Sequence, residues 1–467
     1  MFLRRNIAEV PTARTRIPVR PEDIYIEPGY RLAPLIIGLT FPTSLTFDDL
    51  GYLYIGESGY SYGPAVSNGQ GRILRLSSLG RVDEVARGFR PPLTGLTWHD
   101  GYFYVAEGAY PGRILRVHPG GEIREVLVDN LPTGGDHMTG QIAFGPDGRL
   151  YFGVGTATNS GVVGLDNSSW LLVRPEFHDI PCRDIILRGN NYGTINIFKP
   201  YDPELVLTGG FKPFGVPSAA GEEIGGELKC NGVIYSMNPD GSDLRIYADG
   251  FRNPFGLGFS PDGNLYTIDQ GYDLRGSRPV ADSPDTLWRV LENGWYGWPD
   301  FVAGIPITDP RFTSPGGEPL EFLLSEHPEI PVSPSHTFPH GEIAMKFDFS
   351  PGRRFGHRGD LFVAEFGGAA PHVFIKDGED KLGIDEDYHY RGYRVVRIDL
   401  ETGIVRDFIV NKKPGPRGTG IERPIAVKFS PGGDILYLLD FGVVQSNKAG
   451  WRSWANSGIL WAIYPEG

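Results

Sequence analysis

Apolar and polar residues alternate along most of the chain, in short runs separated by turns rich in Gly, Pro, Asp and Asn. One unit recurs six times: an alternating apolar run, a tight turn, and a second run that an aromatic residue leads. This period-two pattern between turn residues predicts a β-hairpin. The six copies span residues 43–59, 94–108, 139–155, 255–271, 343–367 and 425–442.

A second unit follows each hairpin and predicts further strands. Its copies start at Gly71, Gly112, Gly232, Thr286, Tyr393 and Gly458. Six hairpins with their followers make six four-stranded antiparallel blades, so we predict an all-β fold, a six-bladed β-propeller. The last copy ends after its third strand. We expect residues 29–39 to supply its outer strand and close the ring, which leaves no open sheet edge.

The repeat also predicts the domain organisation. An N-terminal extension, residues 1–28, precedes a single propeller domain, residues 29–467. Two long segments do not follow the repeat: residues 156–229 interrupt the third blade, and residues 292–339 lie between the fourth and fifth blades. Long insertions of this kind often carry functional residues.

Composition and charge exclude some classes of partner. The 467 residues include Gly 65 and Pro 40, and the formal net charge is −13. The acidic balance and the absence of a basic run argue against a nucleic-acid partner. No run of about 18 apolar residues occurs, so we predict no membrane span. Residues 1–20 show no apolar region of a signal peptide, so the protein is either cytoplasmic or begins after a cleaved leader.

The two cysteines, Cys182 and Cys230, leave two alternatives open. They form one disulfide across a long loop, or they remain two buried thiols.

Acidic residues recur three places after the aromatic residue of each second run. They are Glu57, Glu107, Asp269, Glu365 and Asp440, with Val154 in the third copy. In a propeller, the start of each inner strand and the end of the second strand lie at one mouth of the central channel. We therefore expect the five carboxylates to lie near one another, and arginines or a metal ion must accompany them.

Basic residues precede the inner strands of four blades: Arg90, His137, Arg252 and Arg423, with His336 and His340 before the fifth. Two interpretations follow. The residues form a structural salt-bridge ring, or they form a site with three kinds of group. In such a site arginines hold an anionic ligand, carboxylates and carbonyls hold a hard cation, and a histidine acts as a base. The chain contains no HExxH or CxxC metal motif.

The central block of the sequence resembles a known family. Residues 250–263 (GFRNPFGLGFSPDG) and 268–271 (IDQG), with GSRPV, PDTLWRV and GWP at 276–280, 284–290 and 297–299, are similar to the glucose/sorbosone dehydrogenase family of soluble quinoproteins. The resemblance covers roughly residues 42–465, apart from the first insertion. It implies a propeller that holds pyrroloquinoline quinone (PQQ) and Ca²⁺ at the channel mouth and oxidises sugar hydroxyls. It also implies a periplasmic or secreted location.

The resemblance assigns roles to individual residues. Asp136 and His137 match the family's Asp-His pair, whose histidine is the general base. The cofactor-binding set is Arg252, Asn253 and Gln270, with Arg423 matching an arginine that pairs with a quinone carboxylate, and we add Arg90 from the repeat. The carbonyls of Gly271 and Tyr272 match calcium ligands, and we place Asp269 beside them.

The chain also departs from the family pattern. Members carry a lysine after the second strand of the fifth blade, where this chain has residues 365–368 (EFGG), and Gln141 stands where an arginine often follows the histidine. Lys346 and Lys428 could substitute if they point into the channel.

We predict a calcium-dependent, PQQ-linked dehydrogenase of a sugar or polyol, which passes electrons to an external acceptor that the sequence does not identify. The alternatives are a calcium-dependent, lactonase-like hydrolase and a non-catalytic binding propeller.

Overall fold

The computed structural model describes residues 8–9, 19–59, 69–77, 81–108, 110–199, 201, 204–368, 372–375, 382–385, 391–413, 419–447 and 450–466. Three strands precede the first predicted hairpin: β1 (Ala8–Glu9), β2 (Ile24–Ile26) and β3 (Tyr30–Leu39). A short 3₁₀ turn, Pro21–Asp23, leads into β2.

The first two blades are uninterrupted antiparallel sheets. Blade one comprises β4 (Pro42–Phe47), β5 (Leu53–Glu57), β6 (Gly71–Leu76) and β7 (Val82–Phe89). Blade two comprises β8 (Leu93–His99), β9 (Tyr102–Glu107), β10 (Gly112–Val117) and β11 (Arg124–Leu131).

The third blade is interrupted after its second strand. Its strands are β12 (Thr139–Phe144), β13 (Leu150–Val154), β18 (Val233–Met237) and β19 (Arg245–Asp249). Between β13 and β18 lie a 3₁₀ turn (Leu165–Asn167), the helix α1 (Ser168–Leu171) and four short strands, β14 (Ile185–Ile186), β15 (Asn191–Ile195), β16 (Leu205–Gly209) and β17 (Glu223–Ile224).

The fourth blade differs from the sequence prediction. Its strands are β20 (Pro254–Phe259), β21 (Leu265–Asp269), β22 (Asp285–Val290) and β25 (His336–Phe338), with β23 (Phe301–Val302), β24 (Ile305–Pro306) and a 3₁₀ turn (Pro310–Phe312) before β25. The second insertion therefore lies inside this blade, and not between the fourth and fifth blades. The outer strand was missed because β25 has three residues, too few for an alternating pattern.

The fifth and sixth blades each take a strand from the N-terminus. Blade five comprises β26 (Ala344–Phe349), β27 (Leu361–Glu365), β30 (Arg394–Ile398) and β31 (Val405–Asn411), and β2 adds to its outer edge. Blade six comprises β32 (Pro424–Phe429), β33 (Leu436–Asp440), β36 (Gly458–Pro465) and β3. Two further hairpins follow the second strands of these blades: β28 (His372–Ile375) with β29 (Leu382–Asp385), and β34 (Val444–Asn447) with β35 (Gly450–Ser453).

The ring closes as the sequence predicted. Strand β3 pairs antiparallel with β36, with Ile37 opposite Ile459 and Leu32 opposite Ile463. β1 then pairs parallel with β3. Because β2 joins blade five, part of the segment 1–28 also belongs to the propeller sheets. The predicted six-bladed, all-β propeller is confirmed.

Apolar side chains between neighbouring blades hold the ring together. Leu93 and Leu96 of blade two pack with Phe89 of blade one, and five further clusters of this kind lie between the other pairs of blades. Each inner strand packs against the inner strands of the two neighbouring blades around the channel. At the hairpin turns, Gly148 and Gly263 have φ of 76° and 83°, a left-handed conformation that glycine adopts without strain.

The sequence left the pairing of the two cysteines open. Cys182 and Cys230 form a disulfide, which ties the first insertion to the start of β18. Within the described residues, no helix is long and apolar enough to cross a membrane.

Candidate functional site

The recurring acidic residues are bound inside their own blades. Glu57, Glu107 and Glu365 each lie directly opposite an arginine on the third strand, and each forms an ion pair with it. The pairs are Glu57 with Arg72, Glu107 with Arg113 and Glu365 with Arg394.

Asp269 and Asp440 face no arginine on the third strand, and their carboxylates accept hydrogen bonds from backbone amides. Asp269 accepts hydrogen bonds from the amides of Arg252 and Asn253 at 3.0 and 2.6 Å. Asp440 accepts from the amides of Glu422 and Arg423, both at 2.8 Å. Glutamate therefore occurs where the third strand offers an arginine, and aspartate where it does not.

This arrangement corrects the expected ring of carboxylates facing the arginines of the mouth. Five separate interactions join the end of a second strand to its own blade, and burial raises the pKa of Asp269 to about 7. The buried guanidinium groups of Arg252 and Arg423 donate to other acceptors instead. The acids therefore have structural roles inside their own blades and do not form the predicted salt-bridge ring, whereas His137 and Arg252 have other surroundings.

Arg252 is buried at the mouth, where the first insertion begins. Its Nε and Nη2 atoms donate to Asn159 O and Oδ1 at 3.1 and 2.9 Å, and Nη2 also donates to Asp273 at 2.8 Å. Its Nη1 makes only a long contact, 3.4 Å, with the carbonyl of Gln270 among the described residues. One edge of this buried cation therefore remains available to an anionic group.

Arg275 brings three carboxylates together beside this position. It pairs with Asp136 at 2.7 Å, Asp166 at 2.9 Å and Asp273 at 2.9 Å. Burial, and then the charge of Asp136, raise the pKa of Asp166 to about 6. Burial opposes ionisation of Asp273 too, but Arg252 and Arg275 hold its pKa below the usual range. The cluster carries excess negative charge and many acceptor oxygens.

His137 lies at the channel mouth, and the contacts of its Nδ1 atom define the protonation state of the ring. Nδ1 lies 2.9 Å from the carbonyl oxygen of Thr156 and 3.1 Å from its Oγ1. The Thr156 hydroxyl proton is already donated to Thr158 O at 2.7 Å. Both oxygens therefore accept from His137, so Nδ1 carries the proton and Nε2 has a lone pair. Burial, and then Arg252, lower the pKa of His137 to about 3.

The backbone of residue 155 connects His137 to the predicted cofactor residues. A Cβ at Gly155 would lie 2.4 Å from His137 Cβ and 2.7 Å from Asn253 Oδ1, so both side chains pack directly on this glycine. Asn253 Nδ2 in turn donates to Gln270 Oε1 at 2.7 Å. The imidazole and the 270–272 backbone thus belong to one continuous site.

The 271–272 backbone is held by its amides. Gly271 N donates to Asp285 at 2.7 Å, and Tyr272 N donates to Ser283 Oγ at 2.9 Å. Neither carbonyl accepts a hydrogen bond from any residue that the structure describes. A cavity of about 20 Å³, room for one water molecule, lies against this segment and Asp269.

No cluster of three or more His, Cys, Asp or Glu side chains suited to a metal occurs in the described part of the chain. A cation here would therefore depend on backbone oxygens, which Ca²⁺ accepts readily.

The remaining predicted residues lie in different surroundings. The Arg90 side chain is exposed, and its amide donates to Glu107. Arg423 is buried, and its Nη1 donates to the carbonyls of Phe366, Gly367 and Gly368 at 3.1, 2.8 and 3.1 Å. Arg423 is therefore the cation at the end of the fifth blade's second strand, where the family resemblance led us to expect a lysine. Its hydrogen bonds hold the loop of residues 366–368.

The two inner-strand lysines point to different places. Lys346 is buried in the channel, where Nζ donates to Thr43 O, Ser44 Oγ and Thr94 O at 2.9, 3.0 and 2.5 Å. Lys428 instead pairs with Asp348 at 3.2 Å and is partly exposed. Lys346 thus joins blade five to blades one and two, and neither lysine takes the place of the missing one.

The two histidines before blade five lie in different places. His336 lies on β25, the outer strand of blade four, and His340 Nδ1 contacts the carbonyl of Ser283 at 3.0 Å.

Sequence reasoning missed Thr156, Asn159, Asp166, Asp273 and Arg275. The first three lie in the first insertion, where no repeat exists to align. A usable signal was the polar run at 156–160 (TATNS), directly after the second strand of the one blade that lacks an acid.

Comparison with known proteins agrees with the resemblance in the sequence. No protein-family model matches the chain. Quinoprotein glucose dehydrogenase B of Acinetobacter calcoaceticus is 28% identical over 180 residues, which is 38% of this chain and 29% of that protein. The match therefore spans less than a third of that relative's length.

Solved structures show the same fold at low identity. The PQQ domain of pyranose dehydrogenase from Coprinopsis cinerea, in its holo form, has a TM-score of 0.56, 14% identity, and coverage of 98% of this chain and 100% of that chain. A putative oxidoreductase (glucose dehydrogenase) from Thermus thermophilus has a TM-score of 0.53 and 19% identity, and the match covers 93% of this chain and 100% of that chain. PQQ-bound aldose sugar dehydrogenase from Streptomyces coelicolor has a TM-score of 0.51 and 17% identity, and the match covers 94% of this chain and 99% of that chain. The chain therefore shares the fold of these proteins, and part of its sequence resembles quinoprotein glucose dehydrogenase B.

Proposed function

We propose that this protein is a calcium-dependent, PQQ-linked dehydrogenase that oxidises a hydroxyl of a sugar or polyol. The observation that carries the proposal is the fixed protonation of His137. Its Nδ1–H is held by Thr156, and Nε2 makes no hydrogen bond with a described residue. An imidazole in this state can take a proton from an alcohol at neutral pH.

The low pKa of His137 keeps the imidazole neutral before the reaction, and the same surroundings make it a weaker base in the free protein. Burial and Arg252 disfavour the imidazolium, so the ring is unprotonated across the physiological range. Asp136 favours the charged ring, although its carboxylate bonds to Arg275 and Asn167 and not to the imidazole. Asp136 therefore stabilises the protonated His137 by its charge, without a direct contact.

The residues present fit the reacting part of the cofactor. The carbonyls of Gly271 and Tyr272 offer a hard cation two oxygens that no described donor uses, with Asp269 nearby at the cavity. Arg252, Asn253 and Gln270 would face the quinone, and the exposed Arg90 would meet a carboxylate, whereas Arg423 donates to the carbonyls of residues 366–368 instead. When bound, PQQ supplies the electrophilic carbonyl that receives hydride, and Ca²⁺ polarises it.

The Arg275 cluster supports a polyhydroxy substrate. Asp166 Oδ1 and Ser277 Oγ are buried and make no hydrogen bond within the described residues. Both lie against the backbone of Gly164, within 3.0 Å of the position that a Cβ would take there. The carboxylate oxygens of Asp136, Asp166 and Asp273 around Arg275 match the hydroxyls of a sugar better than an apolar alcohol.

The disulfide bears on location. Disulfides persist mainly in oxidising compartments, so Cys182–Cys230 supports a periplasmic or secreted protein. The electron acceptor would then be another component of that compartment.

Titration calorimetry of PQQ into the protein tests the proposal. We expect one site whose affinity rises when Ca²⁺ is present. Arg252→Ala should weaken PQQ binding roughly tenfold to a hundredfold, because a charge-assisted contact contributes about 1.5–3 kcal/mol. Arg289→Ala, on the exposed face of β22, is the matched control. No heat of PQQ binding in either condition would refute the assignment. Hydrolysis of a lactone with Ca²⁺ and no quinone would then favour the hydrolase alternative.

A further inference from the structure

Asp179 is a buried acid of the first insertion that no role yet explains. The residue is 1% exposed. The carboxylate accepts from the amide of Ala157 at 2.6 Å and from that of Thr158 at 3.4 Å, and from the Thr158 hydroxyl at 2.5 Å. All these donors lie in the short segment 156–158 that binds His137 Nδ1.

The contacts of Asp179 fix the conformation of this segment. Thr158 Oγ1 also accepts from the amide of Gly161 at 2.9 Å, so it joins the carboxylate to the next turn. Thr158 O accepts the hydroxyl proton of Thr156. That bond leaves Thr156 Oγ1 as an acceptor only, which keeps the proton of His137 on Nδ1.

The chain around Asp179 is itself anchored to the propeller. Cys182, three residues later, is bonded to Cys230. Asn231 exchanges hydrogen bonds with Ile180 at 2.9 and 3.0 Å, and its Nδ2 donates to Pro132 O at 2.6 Å. The carboxylate therefore sits on a rigid part of the insertion, directly beneath the 156–158 segment.

We infer that Asp179 is a positioning residue for His137: through Thr158 and Thr156 it fixes the tautomer and orientation of the base. This inference rests on the proposed function, since it gives the insertion a part in the same reaction. The link is indirect, because Asp179 touches neither the imidazole nor the substrate position.

A merely structural carboxylate predicts different behaviour from a positioning one. Loss of a structural contact lowers the melting temperature and leaves the surviving folded protein with an unchanged His137. Loss of a positioning contact changes the ring of His137 in protein that is still folded. The ring nitrogens themselves are therefore the readout, and they can be observed without cofactor or substrate.

The experiment compares wild type with Asp179→Asn, in which an amide NH₂ replaces one acceptor. In protein labelled with ¹⁵N-histidine, we expect the His137 ring shifts to move from the Nδ1–H pattern toward a tautomer mixture. In enzyme loaded with PQQ and Ca²⁺, kcat should fall roughly tenfold to a hundredfold, the cost of a misplaced reacting group, with KM changed little. Asp23→Asn is the matched control: Asp23 is buried and also accepts from a threonine hydroxyl, that of Thr419, but it lies beside blade five and not in the insertion.

Thr158→Val tests the same link if Asp179→Asn does not fold. It removes the hydroxyl that bonds Asp179 and should reproduce the ring-shift change, while Thr158→Ser retains the hydroxyl and should restore the wild-type spectrum. Unchanged His137 shifts in folded Asp179→Asn or Thr158→Val would overturn the inference. A wild-type protein without dehydrogenase activity would defeat the proposed function alone, because the ring shifts are measured on the apoprotein.

Discussion

The Nδ1 atom of His137 lies 2.9 Å from the carbonyl oxygen of Thr156. A carbonyl can only accept, so this contact places the ring proton on Nδ1. The opposite nitrogen, Nε2, is then the one basic atom of the ring, and a base in the proposed reaction must use it.

Replacing His137 should abolish turnover and spare the fold. His137→Gln should lower kcat by about 10²–10⁴-fold, the usual contribution of general-base catalysis. His137→Arg is a sharper variant because it restores the residue that Arg90 and Arg252 provide in neighbouring blades. A structural role predicts that arginine is tolerated, and a catalytic role predicts an inactive enzyme. His178→Gln, at a partly exposed site in the insertion, is the control; an active His137→Arg protein would contradict the assignment.

A methyl group at residue 155 should displace the base. Gly155→Ala would place Cβ 2.4 Å from His137 Cβ and 2.7 Å from Asn253 Oδ1, closer than atoms pack, so the imidazole must move. A shift of about 1 Å can cost on the order of 10²-fold in rate. Steady-state kinetics should show the loss mainly in kcat. Gly120→Ala, where the added methyl meets no atom within 4 Å, should behave as wild type.

The contribution of His137 to the free energy of unfolding should decrease as the pH falls. Its folded pKa, about 3, lies below the unfolded value near 6.5, so the folded state binds this proton less tightly. The contribution is therefore fully present above pH 6.5 and is lost as pH falls toward 3. In urea unfolding, the free energy difference between wild type and His137→Gln should shrink from about pH 7.5 to about pH 5. A difference that grows on acidification would show that the imidazole is charged in the folded state.

Calcium should stabilise the protein. A ligand at a hundred times its dissociation constant adds about 2.7 kcal/mol to the free energy of unfolding. We therefore expect differential scanning calorimetry to show a higher melting temperature with excess Ca²⁺ and a lower one after chelation. Mg²⁺ is the control, because it demands octahedral geometry that two adjacent carbonyls support poorly. Identical curves in calcium and chelator, with no metal by elemental analysis, would exclude the site.

The fold was largely predictable because the repeat encodes it. Alternating hairpins gave six blades, and the missing outer strand after β36 required a partner that only residues 29–39 offered. Two elements escaped this logic. Strand β25 has three residues and follows a long insertion, and β2 adds a fifth strand to blade five, which a four-strand repeat does not anticipate.

The site was predictable only where it follows the repeat. Alignment singled out His137 and Arg252 because they occupy the same place in their blades, and their roles in the reaction stay predictions. It misassigned the surroundings of the acids, because sequence position does not reveal that Glu57 faces Arg72 on the next strand. It could not find Thr156 or Asp179, since contacts made by an insertion depend on how that one segment folds.

Reduction of bound quinone by a sugar tests the central claim most directly. The protein is loaded with PQQ and Ca²⁺, mixed anaerobically with an aldose, and followed by its absorbance spectrum. We predict stoichiometric conversion of the bound quinone to its reduced form in wild type, and a rate about 10²–10⁴-fold lower in His137→Gln. Bound PQQ that stays oxidised with a panel of aldoses and polyols, or that is reduced equally fast in both proteins, would contradict the account.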